Sequence, residues 1–403
     1  MALSLEERVL IALVRTQVTG EKLILPVAAN KVDWRAVMRE SVQQAVALLA
    51  YESVSEIYTQ LPEDIYEEWT QIAFAVLSNN AQVSFSQDQL VAWLEGRNYP
   101  YVILKGLTAA ADYLRPDLRT LGDVDFLIDP QNQTEIQLLL ESHGYTASDS
   151  EHSCHVAFKN GSSILEMHFE IAGIPFGEKG EWVRAVMMNA LQTSRTISLD
   201  GQAFSALDEL RHGLVLLLHM QGHMLGEGVG LRHLCDWACF VQKTVDKAYW
   251  KNDFLPFLEK LGLLYYACSM TRTASLYLGI RCPDWADSIP DGLCAAIMDD
   301  IFASGNFGKK DRTRARSGMM ISQHGREGTG HGKLYNLFHT LHSSTAEVYP
   351  SAKNSPVLHC ALDITRACRF LYLSLIGKRP SLSKMLPKAN ERKSLYDQLH
   401  IFE

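Results

Sequence analysis

The sequence contains no pair of cysteines with CxxC spacing, and its 8 cysteines do not recur at a regular interval along the 403 residues. Small secreted proteins that depend on disulfides have a dense and patterned cysteine framework, so this class is excluded. We therefore expect reduced thiols and a cytoplasmic protein.

Long hydrophobic runs are also missing. The most apolar stretch, residues 213–225, is too short to cross a bilayer and is interrupted by His219, Gln221 and His223. The opening MALSLEERVL places acidic residues early, whereas a signal peptide begins with basic residues and continues with apolar ones. The sequence thus predicts no membrane association.

An excess of positive charge is absent as well. The chain has 38 Lys and Arg against 46 Asp and Glu, a formal net charge of -8. A protein that coats DNA or RNA needs positive charge to replace phosphate counterions, so long nucleic acid is not an expected partner. Hydrophobic residues make up 47% and charged residues 21%, which indicates a soluble globular protein rather than a disordered chain.

Basic and acidic residues are unevenly distributed along the chain. Residues 1–100 hold 7 basic and 13 acidic side chains, whereas residues 301–403 hold 16 basic and 7 acidic ones. This asymmetry can mark an anion-binding face. It can equally reflect a basic C-terminal layer that packs on an acidic middle segment, and the sequence leaves both interpretations open.

The spacing of apolar residues divides the chain into three regions. Residues 1–96 and 205–403 have helical spacing, and a basic, glycine-rich stretch near 304–332 predicts a mobile loop in the second of them. Residues 97–204 alternate short strand-like and helix-like segments. This order predicts an α+β protein whose small mixed-sheet core is flanked by an N-terminal and a C-terminal helical region.

The predicted core has the order strand, helix, strand, helix and hairpin. Asn160-Gly161 is a strong hairpin signal, because both residue types tolerate the backbone conformation of a tight turn. Strands are expected at residues 101–104, 123–128, 154–159 and 163–171, and helices at 107–114 and 131–142.

Three acidic residues of this core point to metal chemistry. Asp123 and Asp125 are two residues apart on a predicted strand, so both carboxylates face the same side, about 7 Å apart. Like charges this close repel each other unless a cation lies between them. Hard oxygen ligands suit Mg²⁺, and Glu166 on the hairpin can complete the site. Two metal ions held in this way can drive an in-line phosphoryl displacement.

A Lys-Gly turn lies just upstream of the acidic residues. Lys105 and Gly106 stand between a predicted strand and a predicted helix. Backbone N–H groups at such a turn favour phosphate, and the lysine adds a positive charge. The sequence therefore predicts phosphate binding next to the metal ligands.

The runs VILKG, YLRPDLRTLGDVDFLI and ILEMHFEI together resemble the nucleotidyltransferase superfamily that shares the DNA polymerase β palm. More closely, they resemble the bacterial branch called uncharacterised nucleotidyltransferase, which also carries an Arg-x-x-x-Asp helix like LRHLCDW here. The resemblance covers residues 99–240, with SGNFG near 304–308 as a further weak echo. It implies a polymerase-β-like core.

The resemblance also implies an activity. A nucleoside monophosphate would move from an NTP to a hydroxyl or phosphate acceptor on a small molecule, peptide or protein, with Mg²⁺ or Mn²⁺. Asp123, Asp125 and Glu166 would be the catalytic metal ligands. The residues implied to bind the nucleotide or to lie beside the metal are Lys105, Gly106, Thr108, Arg119 and His168.

The chain departs from the superfamily at one point. The usual turn is Gly-Ser, whose serine holds a phosphate, whereas Lys105-Gly106-Leu107 has no serine and Thr108 is the nearest hydroxyl. Two other functions stay open, of which the missing serine favours the first. One is a non-catalytic regulatory protein that binds nucleotide or metal, and the other is a metal-dependent phosphohydrolase.

Several polar residues have both a functional and a structural interpretation. Arg119 can bind a phosphate oxygen or pair with Asp117 or Asp123. His168 can lie beside the metal or be a satisfied core histidine. For Glu170, further along the same face, we expect a solvated acid.

The helical region offers further candidates. His219 and His223 have the i, i+4 spacing of zinc ligands, but HExxH is incomplete, so a helix that lines the cleft is favoured. Arg232 and Asp236 are expected to form an i, i+4 pair, with a phosphate or ribose role as the alternative. The basic residues 309–316 can clamp a triphosphate or be a solvated loop.

Overall fold

The structure of the chain is a computed structural model with the α+β architecture that the sequence predicts, a seven-stranded mixed sheet accompanied by many helices. It describes residues 3–148, 154–175, 177–311, 341–342, 345, 349, 355–376 and 392–401.

Four helices precede the sheet. Ser4 caps the first of them, because its hydroxyl accepts from the Glu7 backbone N–H while the Glu7 carboxylate accepts from the Ser4 N–H. Gly20 follows the last residue of that helix and terminates it, with a φ of 74° in the left-handed region that favours glycine. The four helices are Leu5–Thr19 (α1), Trp34–Gln43 (α2), Ala47–Ser55 (α3) and Glu63–Glu95 (α4).

The sheet consists of seven strands in the spatial order β3-β4-β5-β2-β1-β7-β6. Two neighbouring pairs, β2 with β5 and β1 with β7, are parallel, and the other pairs are antiparallel. The strands are Tyr101–Ile103 (β1), Val124–Ile128 (β2), Thr146–Ala147 (β3), His155–Asn160 (β4), Ser163–His168 (β5), Arg195–Leu199 (β6) and Gln202–Ala206 (β7).

The other helices lie between the strands or follow them. Among the described residues, none of the helices is both long and apolar enough to cross a membrane. A final helical segment covers residues 392–399. The named helices are Leu107–Ala110 (α5), Gln133–Ser142 (α6), Glu178–Met187 (α7), Glu209–Leu225 (α8), Leu231–Thr244 (α9), Leu255–Leu261 (α10), Leu264–Leu278 (α11), Asp291–Ser304 (α12) and Pro356–Leu375 (α13).

The two faces of the sheet belong to different hydrophobic cores. On β2, Phe126 and Ile128 join a core with Leu139 of α6, which we call the sheet core. The intervening Leu127 packs instead into a larger core formed mainly by the helices, the helical core. Because side chains alternate along a strand, Asp125 also faces the helical side.

Helix α4 connects the two cores. Trp69, in its N-terminal half, is buried in the helical core and donates from its indole nitrogen to the Ala47 carbonyl at 3.1 Å. Leu90 and Leu94, in its C-terminal half, are buried in the sheet core. One helix of 33 residues thus contributes to both.

Several elements differ from the sequence expectation, among them β3 and α7, for which the sequence predicts no element. The helix expected at 107–114 ends at Ala110, because the chain then turns and directs the Tyr113 hydroxyl inward to Asp236. The β6–β7 hairpin was not predicted, although its Asp200-Gly201 turn, with φ of 49° and 82°, is a typical hairpin signal. Of the loop expected near 304–332, residues 312–332 lie outside the described residues.

Candidate functional site

Two acidic residues and a histidine converge on the helical side of the sheet. Asp125 of β2 and Glu166 of β5 are direct neighbours in the parallel register, and His168 follows two residues later on the same face. Ligand atoms of these three side chains all lie within 4.8 Å of one another. The predicted proximity of Asp125 and Glu166 is thus present in the structure.

Asp125 holds the centre of this group. Its Oδ1 accepts from Lys105 Nζ at 2.8 Å and from His168 Nε2 at 3.0 Å, and its side chain is only 3% exposed. Burial alone would raise its pKa, but the Lys105 charge and the His168 hydrogen bond outweigh burial and hold the pKa of Asp125 well below its usual range. Asp125 is therefore ionised.

The pKa values of the two positive partners, Lys105 and His168, are raised. Burial alone would lower the pKa of Lys105, but the charges of Asp125 and Asp123 raise it. Burial also opposes protonation of His168, yet its hydrogen bonds, with that to Asp125 the strongest, raise its pKa well above the ordinary value. Two cations thus offset the acidic residues of the site.

Asp123 lies at the residue before β2 and lines the same cavity. Burial and the neighbouring charge of Asp125 raise the pKa of Asp123 to about 6, with a further contribution from Glu166. The Asp123 carboxylate therefore interacts electrostatically with Asp125 and Glu166. It does not belong to the set of Asp125, Glu166 and His168, whose ligand atoms lie within 4.8 Å of one another.

Gly106 brings the backbone close to Asp123. It has a φ of 61° and ψ of -114°, a conformation that favours glycine, and a Cβ at this position would lie 3.6 Å from the Asp123 carbonyl oxygen. The glycine allows the chain to leave β1 and enter α5 within a single turn. Lys105 consequently faces the cavity that Asp123 and Asp125 line.

The acidic residues form one wall of a cavity of about 510 Å³. The opposite wall comes from α8, the start of α9 and the residues after α12. It contributes three histidines, an arginine and an aromatic ring, namely His219, His223, His233, Arg232 and Phe307. Acidic residues and side chains that carry nitrogen atoms thus line the same cavity.

The three histidines are packed closely together. The ring centroids of His219 and His223 are 4.3 Å apart, and His233 lies 5.6 Å and 5.3 Å from them. Burial and the nearby Lys105 charge lower the pKa of His223 to about 3. Burial also lowers the pKa values of His219 and His233 well below the ordinary value, so the three rings are neutral at pH 7.

Two residues expected to bind nucleotide have other partners. Thr108 is fully buried, and its hydroxyl donates to the Ile103 carbonyl at 2.9 Å, so the structure does not bring it to the cavity. Arg119 lines the cavity but donates to both carboxylate oxygens of Asp236, at 2.7 and 2.8 Å. Its carboxylate partner is therefore Asp236 rather than the expected Asp117 or Asp123.

The side-chain geometry corrects one further expectation and adds an ion pair to another. Asp236 accepts from Arg119 and Tyr113, whereas Arg232 donates to the Thr120 carbonyl, so no direct i, i+4 hydrogen bond links Arg232 to Asp236. Arg232 nevertheless feels the Asp236 charge. The expected solvated Glu170 forms an ion pair with Arg184.

Cys154, His155 and His233 at the site were missed in the sequence. His155 pairs with His168 across the β4–β5 hairpin, and its Nε2 lies 3.7 Å from Glu166 Oε2. Its place could have been found by counting back from the hairpin turn, because a two-residue turn fixes the register of both strands. His233 has no such local signal, since it reaches the site through the packing of α9 on α8.

The sequence model of one protein family matches residues 30–279, and that family is described as uncharacterised nucleotidyltransferase. The chain belongs to this family. The matched range contains every cavity residue named above except Phe307, so the nucleotidyltransferase match includes both the acidic wall and most of the opposite one.

A solved structure and the curated proteins complete the comparison. The chain is similar to the crystal structure of an antigenic nucleotidyltransferase-like protein from Paracoccidioides brasiliensis. The identity is 15%, the TM-score is 0.29, and the match covers 51% of this chain and 94% of that one. No curated protein matches the sequence.

The donor set of this family member fits a hard divalent cation. Asp125 and Glu166 offer carboxylate oxygens within reach of one ion, and Asp123 adds a third carboxylate to the same electrostatic group. Burial, together with the charges of Asp125 and Glu166, raises the pKa of Asp123, and a cation between the carboxylates would relieve the repulsive part of this effect.

Proposed function

We propose that this family member is a metal-dependent nucleotidyltransferase. It would move a nucleoside monophosphate from an NTP to a hydroxyl or phosphate group on a small molecule, peptide or protein. The observation that carries the proposal is the register of Asp125 against Glu166 on neighbouring parallel strands, with Lys105 2.8 Å from Asp125 at the same cavity.

Asp123, Asp125 and Glu166 would hold Mg²⁺, or Mn²⁺ in its place. The bound metal would supply charge neutralisation at the phosphates and activation of the attacking oxygen. His168 positions Asp125 through the 3.0 Å hydrogen bond to Oδ1, which fixes the carboxylate against the sheet.

Lys105 and Gly106 are the chain's own phosphate-binding elements in this proposal. The Lys105 ammonium is a positive charge at the cavity, and its raised pKa keeps it protonated at neutral pH. The positive φ of Gly106 lets the backbone pass the site without a side chain that would fill it. Because Thr108 is turned away, phosphate contacts depend on Lys105 and on the opposite wall.

Glu166 is the candidate for receiving the acceptor proton. Its side chain is 23% exposed, whereas that of Asp125 is 3% exposed, so Glu166 is the more accessible of these two carboxylates. A general base must come within hydrogen-bond reach of the proton that it removes, directly or through one water. The position of Glu166 on the cavity wall supports this role.

The proposal is tested with purified protein, Mg²⁺ and labelled NTPs against metabolite and protein pools. We expect release of pyrophosphate together with a nucleotide-sized mass increase on an acceptor. Asp125→Asn and Glu166→Gln should each reduce this activity by at least about 100-fold, since both remove metal charge stabilisation. Asp200→Asn is the matched control, because it makes the same charge change at an exposed hairpin turn.

Other outcomes would favour the two alternatives. Release of inorganic phosphate without a modified acceptor would identify a phosphohydrolase. NTP binding without any product would identify a non-catalytic nucleotide-binding protein. Full activity in both acidic-wall variants would contradict the assignment of the site.

A further inference from the structure

The histidine-rich wall of the cavity has the spacing of a metal site. One ligand atom from each of His219, His223 and His233 lies within 4.8 Å of the others. Three imidazoles at this separation can coordinate zinc, provided that each turns a nitrogen lone pair toward the ion. The ring tautomers therefore decide which kind of ligand this wall can bind.

The hydrogen bonds of His233 fix its tautomer. The Gly230 backbone N–H donates to His233 Nδ1 at 3.3 Å, so Nδ1 carries the lone pair and the proton of the neutral ring lies on Nε2. His233 is 4% exposed, and within the described part of the chain its Nε2 has no hydrogen-bond partner. A buried N–H donor without a partner is costly, which points to a ligand that accepts from it.

His219 has the same tautomer as His233. Its Nδ1 lies 3.5 Å from Lys105 Nζ, and an ammonium group can only donate, so the neutral ring again carries its proton on Nε2. For Nε2 to bind a metal, the proton of each ring would have to move to Nδ1, where it would face another N–H donor. His219 and His233 thus present N–H groups rather than lone pairs to the cavity.

Positive charge surrounds these donors. Arg232 Nε has no hydrogen-bond partner among the described residues, although Nη1 donates to the Thr120 carbonyl at 3.3 Å. Both Arg232 and His233 lie in the first turn of α9, a 14-residue helix whose N-terminus carries the positive end of the helix dipole. Lys105 approaches from the side of the sheet.

We propose that Arg232, His233 and the first turn of α9 form a subsite for a phosphate group of the substrate. The subsite is built for an oxyanion, since Arg232 Nε and His233 Nε2 are N–H donors without a partner among the described residues, at the positive end of the α9 dipole. The backbone N–H groups of Leu231 and Arg232 themselves donate to Gln44. It lines the same cavity as Asp123, Asp125 and Glu166, so one bound substrate could contact both the acidic residues and this subsite. This identification of the ligand as a phosphate rests on the proposed function.

The subsite is tested by binding, without turnover. Tripolyphosphate is titrated calorimetrically into the full chain in EDTA, so that metal plays no part. His233→Asn keeps an acceptor near Nδ1 but removes the Nε2 donor, whereas His233→Gln keeps an amide N–H near the Nε2 position. We expect tripolyphosphate to bind about 10- to 100-fold more weakly to His233→Asn, because a hydrogen bond to a charged group contributes a free energy of this size. The loss of affinity in His233→Gln should be smaller.

Arg232→Gln should weaken tripolyphosphate binding at least about tenfold by the same reasoning. Arg115→Gln is the control, because it removes an equal charge from an exposed arginine whose partners are Glu52 and Asp117. Circular dichroism and the Tm establish that each variant is folded. Equal affinity in wild type, His233→Asn and Arg232→Gln would overturn the subsite, as would equal losses in His233→Asn and His233→Gln.

Two further titrations identify the source of the phosphate and exclude a metal. Weaker NTP binding in Arg232→Gln, with no acceptor present, assigns the subsite to the triphosphate. Unchanged NTP binding together with weaker phosphate binding assigns it to a phosphorylated acceptor. Zn²⁺ binding that is lost in His223→Ala would overturn the subsite in favour of a metal centre.

The outcomes separate this inference from the proposed function. Phosphate binding that depends on Arg232 and His233 supports the subsite even if no nucleotide is ever transferred. Conversely, nucleotide transfer by a protein whose phosphate affinity is the same in all variants would support the proposed function and refute the subsite.

Discussion

Arg119 donates two hydrogen bonds to Asp236, from Nε to Oδ1 at 2.7 Å and from Nη2 to Oδ2 at 2.8 Å, and both side chains are almost fully buried. Tyr113 donates to the same carboxylate at 2.7 Å. Arg119 lies in the segment that leads into β2, and Asp236 belongs to α9. The pair therefore fixes the acidic wall of the cavity against the helix that supplies the opposite wall.

We expect Asp236→Ala to lower the free energy of unfolding by about 3–5 kcal/mol, since it leaves the Arg119 guanidinium buried without its counter-charge. Asp117→Ala is the matched control. Its partner Arg115 is largely exposed, so the loss should stay below about 1 kcal/mol. Denaturant unfolding measures both values. A loss below about 1 kcal/mol in Asp236→Ala would show that the pair contributes little to stability.

The same carboxylate makes stability depend on pH. Burial would raise the pKa of Asp236, but the charge and hydrogen bonds of Arg119 outweigh burial and lower it. The stabilisation is therefore complete above the unfolded pKa of about 3.9 and is lost as the pH falls through the lower folded value. Below about pH 4 the Tm of the wild type should fall more steeply than that of Asp236→Asn. Parallel curves would contradict this coupling.

Lys105→Ala should reduce kcat/KM for pyrophosphate release by at least about 100-fold, because it removes a preorganised positive charge from the cavity. Lys105→Arg should restore only part of the activity, since a planar guanidinium does not place its charge where the ammonium lies. Lys251→Ala, at an exposed lysine, serves as the control and should leave kcat/KM unchanged. Equal rates in Lys105→Ala and wild type would remove Lys105 from the phosphate-binding role.

Gly106→Ala should destabilise the protein by about 1–3 kcal/mol, because alanine must adopt a strained φ of 61°. The nearest contact of an added Cβ is 3.6 Å, so the cost is conformational rather than steric. Gly292→Ala is the matched control: it lies in α12, where an added Cβ meets no atom within 4 Å, and should be neutral or slightly stabilising. The difference in Tm between the two variants measures the strain, and equal Tm values would disprove it.

Much of the acidic wall follows from local patterns. Two-residue periodicity places Asp125 on one face of β2 and Glu166 with His168 on one face of β5, and the structure pairs these strands in register. The seven-stranded sheet extends the predicted core by a hairpin that packs beside β1. The Asp-Gly turn of this hairpin is a recognisable signal. The flanking strands β6 and β7 lack a clear alternation of apolar residues, because several of their positions are exposed, so the sequence does not predict them.

The rest of the site depends on contacts between distant parts of the chain. Arg119 finds its partner 117 residues away, and no local pattern distinguishes Asp236 from the nearer Asp117. His233 becomes a site residue only because α9 packs against α8 and brings it beside His219 and His223. Such pairings are set by tertiary packing, which propensity and periodicity do not encode.

The length of α4 has a practical consequence for dissecting this protein. Its C-terminal half covers the sheet with Leu90 and Leu94, both fully buried, while Trp69 anchors the other half among the helices. A fragment that starts after this helix would expose the underside of the sheet to water and be prone to aggregation. Fragments meant to isolate the sheet should therefore start upstream of Val83, so that the strands keep the helix on which they pack.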